Sequence, residues 1–214
     1  MRDCGTVKGV AAVTYGQRER MDVLAGVKFL REMPYVDETK VCVVGHDIGA
    51  TAALQATALD SSITAVVADG LWPRFEDRAR EIFSRPPAGQ GGSWGARGGR
   101  LPTGWLAPLY AVTFEIAVRD RLSQLDPEAM VRSIHKQPVL FIARTGAEYV
   151  PVQAVLALAT NAGGRHEVCI DNGSGGEETE RRTAAFLVQA TGWKGPRGRS
   201  SGAVEELLRS EVRP

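Results

Sequence analysis

Four short runs rich in β-branched residues punctuate the sequence, and helical pattern fills the spaces between them. The first run, Val41-Cys42-Val43-Val44, is apolar on both faces. Strands in the middle of a parallel sheet have that composition, because helices cover them above and below. Residues 63–68, 139–143 and 167–170 repeat the pattern. Helical periodicity marks residues 22–33, 50–59, 75–83, 106–118, 127–134, 152–161 and 177–190. In the first of these, Val23, Val27 and Leu30 set the apolar stripe, Leu24 and Phe29 widen it, and Pro34 ends it. Asp126-Pro127-Glu128 is a helix start, with an Asp cap and Pro at the first helical position. Strands separated by helices define an α/β chain. The expected architecture is a parallel sheet of about four strands flanked by helices, with right-handed crossovers.

Composition narrows the function classes. The chain has 214 residues, 43% of them hydrophobic, which fits one domain with a real core. Lys plus Arg number 26 and Asp plus Glu 25, so the net charge is +1. A balance so near neutral provides no field to steer nucleic acid or an anionic membrane. No apolar run reaches the length of a membrane span, and Met1-Arg2-Asp3-Cys4 lacks the apolar core of a signal peptide. Cysteines at 4, 42 and 169 form neither a disulfide framework nor a metal spacing. The expectation is a reduced, cytoplasmic setting with no metal and no cofactor. Residues 1–191 read as the domain. Within it, residues 85–104 are Gly-rich, contain Pro86-Pro87, and read as a mobile loop or lid. Residues 192–214 read as a flexible basic tail, carrying Lys194, Arg197 and Arg199, with a short helix over 203–210.

One turn concentrates the chemistry. Gly45-His46-Asp47-Ile48-Gly49 lies between the first strand and a helix of small residues. A sharp strand-to-helix turn needs small neighbours, since side chains there meet backbone. It lifts its central residue above the sheet, over a helix N-terminus that favours negative charge. The pattern is not a phosphate loop, because no Gly-Lys-Ser/Thr follows, and residues 172–176 lack a dinucleotide fingerprint.

The turn resembles the nucleophile elbow of the α/β-hydrolases, G-x-S-x-G, with Asp47 in place of Ser. Residues 22–31 are similar to the helix before the elbow in the serine-aminopeptidase, dienelactone-hydrolase and esterase branch, and residues 36–40 to the lead-in to its strand. Residues 63–69, 138–142 and 150–151 resemble the later strands and the loop that presents the acid. The resemblance implies a hydrolase of ester or amide bonds in small molecules. Asp at the elbow also resembles epoxide hydrolases and dehalogenases, in which the carboxylate attacks carbon and a His-activated water cleaves the ester.

Measured against that family, the remaining parts are altered. The family's His follows the last strand, where this chain has Gly175; its acid falls at Ala147. Glu148 or Asp69 is the substitute acid that the resemblance allows, and no His is expected nearby for either to orient. His46 adjoins the elbow and, in the family, packs there without catalysing. His135 falls at a helix end and His166 before the last strand, on the far side of the sheet. Ile48 supplies one backbone donor of the oxyanion hole, with Gly45, His46 and Gly49 framing the binding site, but no second donor loop precedes residue 22. Residues 2–6 resemble the segment after the family's fourth strand, so the expected fold is a partial α/β-hydrolase lacking the N-terminal strands. The elbow strand would then lie at an edge. One of three alternatives is expected to cover it: a strand from residues 10–14, a second copy pairing edge to edge, or a longer polypeptide, which is the favoured one. The expected function is an impaired hydrolase. The alternatives are a non-catalytic relic or binding module of the same fold, and an enzyme with an Asp nucleophile.

Overall fold

The computed structural model describes residues 14–72, 74, 107–118, 125–147, 150–172 and 176–195. The expected helix at 75–83, the 85–104 lid, Glu148, Gly175 and the tail beyond 195 lie outside these residues. So does the expected strand at 10–14, apart from Thr14. The described elements are α1 (Glu19–Arg31), a 3-10 turn (Glu38–Lys40), β1 (Cys42–His46), α2 (Ile48–Leu59), β2 (Ala65–Asp69), α3 (Ala107–Val118), α4 (Pro127–Ser133), β3 (Val139–Arg144), α5 (Val152–Thr160), β4 (His166–Asp171) and α6 (Glu177–Thr191).

The four strands form one sheet in the order β1-β2-β3-β4, and every neighbouring pair is parallel. Alternate residues face opposite sides of a strand, and the packing follows. Val66, Ala68, Phe141 and Ala143 pack with Ala50, Ala53 and Leu54 of α2, Val131 of α4 and Val155 of α5. On the other face Ala65, Val67, Leu140 and Ile142 pack against Phe186 of α6. Phe141 and Val66 are fully buried; a side chain of that kind contributes about 1.5–3 kcal/mol when removed from water.

The small residues of α2 have a packing reason. Residues 49–57 are all buried, and alanine lets the helix lie close on β1 and β2. α1 starts at Glu19, three residues ahead of the expected start. Glu19 is buried and accepts the amides of Thr14 and Gly16 and the Thr14 hydroxyl, so its carboxylate organises the approach to the helix. Asp126 caps α4 as expected, taking the amides of Glu128 and Ala129.

Burial on both faces holds for β2, whose five residues are all buried. It does not hold for β1, where Val44 is 45% exposed. The reason is topological. Among the described residues β1 has a neighbouring strand on one side alone, so an interior-type sequence occupies an edge. No described helix is long and apolar enough to cross a membrane.

Candidate functional site

Asp47 stands between the end of β1 and the start of α2 with φ 50° and ψ −116°. That backbone region is costly for any residue with a Cβ, and the surroundings hold it there. Its amide donates to the Asp69 carbonyl at 2.8 Å, and its own carbonyl accepts from the Ala50 amide at 3.0 Å. Gly45 is indispensable to the bend: a Cβ there would lie 2.2 Å from the Gly49 carbonyl oxygen and 2.5 Å from its carbon. Gly70, at φ +70°, closes the other side, where a Cβ would stand 3.0 Å from the Asp47 Oδ1. The Asp47 side chain is exposed. Ile48 opens α2, so its amide belongs to the first turn, whose N–H groups lack intrahelical acceptors and favour negative charge.

Asp69 ends β2 and pairs in register with His46. Its side chain is only 3% exposed, yet it is fully engaged. Arg144 Nε donates to Oδ1 at 2.9 Å, and a guanidinium nitrogen of the same residue makes a second bond to Oδ2. His46 Nδ1 stands 2.7 Å from Oδ2. The hydrogen bond to Asp69 is the chief cause that raises the Arg144 pKa, aided by the charges of Asp69, Asp171 and Asp47. Asp69 therefore does have an imidazole to orient, contrary to the sequence expectation. Sequence reasoning missed it because His46 and Asp69 lie 23 positions apart. The signal was register: both residues end adjacent parallel strands, directly before the turns at Asp47 and Gly70. Arg144 was missed altogether.

The other two histidines belong to the opposite rim, as expected. His166 begins β4, opposite Val139 at the start of β3, and its Nδ1 lies 3.1 Å from the Gly164 carbonyl. His135 Nδ1 lies 3.2 Å from the Gly163 carbonyl. Ala147, at the expected acid position, brings no carboxylate. Beyond β2, Trp72 meets Tyr15, and Tyr15 meets Phe114 of α3, each pair at a 5.4 Å ring separation. This apolar group ties α3 to the segment that follows Asp69. Among the described residues no cluster of three His, Cys, Asp or Glu could hold a metal. Two open clefts, of about 840 Å³ beside Tyr35 and Trp193 and about 450 Å³ beside Arg20 and Gln55, are not lined by residues 45–49.

A parallel sheet whose helices cover both faces, with a strained strand-to-helix bend at the C-terminal end of β1, is the architecture of the α/β-hydrolases, and the chain has a partial form of that fold. Acetyl xylan esterase 1 from Thermoanaerobacterium superposes with a TM-score of 0.58 at 17% identity, covering 88% of this chain and 61% of the esterase. An acetyl xylan esterase from Paenibacillus gives 0.59 at 19%, with 88% and 60% covered. The acylaminoacyl peptidase of Pyrococcus horikoshii gives 0.58 at 15%, with 91% and 30% covered. The chain thus spans about 60% of the length of these two esterases. No protein-family model and no curated protein sequence matches it.

Proposed function

We propose that the chain is a slow hydrolase of ester or amide bonds in small molecules, with the Asp47 carboxylate at the nucleophile position. The observation that carries the reading is the Asp47 backbone, held at φ 50° over the N-terminus of α2. Backbone strain of this kind clusters at functional sites. Gly45, His46 and Gly49 frame the position, and the Ile48 amide faces charge that develops beside it. The rate is low because a carboxylate replaces the usual hydroxyl and Gly175 stands where the family's His falls. Losing members of such a unit costs orders of magnitude in rate. Free thiols at Cys42 and Cys169 are compatible with a reduced, cytoplasmic setting.

A second reading, a binding module without turnover, draws support from one feature, the two-pronged hold of Arg144 on Asp69. Chromogenic esters discriminate between the two. Hydrolysis above the buffer rate that vanishes in Asp47→Asn supports the enzyme. A wild-type rate equal to buffer refutes it in favour of the module. Incubation with an epoxide or alkyl halide, followed by intact-mass measurement, tests directly whether the Asp47 carboxylate attacks carbon.

A further inference from the structure

The family resemblance leaves this site without a base, because the position after the last strand holds no histidine. The sheet provides one from elsewhere. We propose that His46 is the base of this site, with its Nδ1 held by buried Asp69 and its Nε2 left to take a proton from water at the adjacent elbow. The inference rests on the hydrolase reading above.

The geometry distinguishes His46 from the other two histidines. All three have Nδ1 against an oxygen. For His135 and His166 that oxygen is a neutral backbone carbonyl, at 3.2 and 3.1 Å. For His46 it is a carboxylate oxygen, at 2.7 Å. An oxygen acceptor at Nδ1 fixes the tautomer with the proton on Nδ1 and the lone pair on Nε2. A carboxylate is also a stronger acceptor than a backbone carbonyl, so it holds the ring more firmly. The His46 side chain is 65% exposed while Asp69 is 3% exposed, so the orienting group is sheltered and the ring it holds is open to solvent. His46 directly precedes Asp47, on the same rim of the sheet.

The step assigned to His46 is release. Attack by the Asp47 carboxylate on p-nitrophenyl acetate joins its oxygen to the acyl carbon and expels p-nitrophenoxide, leaving a mixed anhydride on Asp47. Water then attacks that acyl carbon. One water proton passes to His46 Nε2, the bond from the acyl carbon to the Asp47 oxygen breaks, and Asp47 leaves as a carboxylate. The imidazolium gives its proton to solvent. No redox partner is required. Asp69 acts as a positioning residue and Arg144 anchors it.

The test uses the full chain with p-nitrophenyl acetate and intact-mass measurement. In His46→Gln, steady turnover falls on the order of a hundredfold, and the acetyl adduct accumulates on Asp47 where the wild type shows little. Diethyl pyrocarbonate supplies a readout independent of turnover. His46 is carbethoxylated faster than His135 and His166 in the same sample. Asp69→Asn slows modification at His46 and leaves the other two unchanged, and Asp69→Glu restores it. Turnover in His46→Gln equal to wild type overturns the assignment, as does modification of His46 no faster than that of the other two. A wild type with neither hydrolysis nor adduct overturns the hydrolase reading itself and takes the base with it. The two failures are told apart by whether wild-type hydrolysis exists.

Discussion

Replacing Gly45 by Ala is the sharpest probe of the bend. The new Cβ would sit 2.2 Å from the Gly49 carbonyl oxygen, 2.5 Å from its carbon and 2.7 Å from the Ala50 nitrogen. Ordinary contact begins about 1.2 Å farther out, so strand and helix must separate by roughly that distance. The atoms in the way are backbone, and no rotamer change relieves them. They belong to α2, whose residues 49–57 are buried against β1 and β2, so a shift opens packing along the helix. Overpacking of this kind costs about 1–3 kcal/mol, occasionally more, and a clash with three backbone atoms belongs at or above the upper end. We expect a loss of about 3 kcal/mol, a large part of the roughly 5–15 kcal/mol available to a domain. Urea unfolding followed by circular dichroism measures it. Gly26→Ala provides the control, since a Cβ there meets nothing within 4 Å on α1; it stabilises by about 0.5–1 kcal/mol. Equal midpoints for Gly45→Ala and wild type would refute the close approach of β1 and α2, and the elbow with it.

Two other outcomes follow from single residues. Asp47→Gly removes the penalty of φ 50° and raises stability by about 1 kcal/mol while abolishing hydrolysis; a lower unfolding midpoint would show that the carboxylate stabilises the fold more than its backbone strains it. Asp37 caps the 3-10 turn ahead of β1, and bonds from the Thr39 hydroxyl and amide, with Lys40 nearby, hold its pKa below the ordinary value. A depressed carboxylate contributes stability above its unfolded pKa and loses it as pH falls through the folded one. Asp37→Ala therefore destabilises at neutral pH, and the difference from wild type disappears in strong acid; a difference that persists there would refute the charge-based account.

The strands and helices were legible because their signals are local. The runs at 41–44, 63–68, 139–143 and 167–170 needed only composition, and the structure shifts their ends by one or two residues. Asp126 and Pro127 announced α4 by cap chemistry alone. Gly45 and Gly49 were legible as a turn because steric demand writes itself into adjacent positions. The cluster around Asp69 was not legible, because its members come from β1, β2 and β3. Arg144 reaches Asp69 across 75 positions, and nothing in the sequence between them records the strand register that brings them together. The exposed edge of β1 is legible only through the family resemblance, since its residues taken alone describe an interior strand. The early start of α1 escaped because Glu19 works as a buried carboxylate, against the usual habit of that residue.

Because Gly45 leaves no room between strand and helix, the stem beneath the rim is closed to variation there. Whatever chemical diversity the scaffold accepts must be written at positions 46 and 47, whose side chains are exposed. A library confined to positions 46 and 47 would sample new reactivities on the same frame, and one that strayed to Gly45 would lose much of the fold's stability at every step.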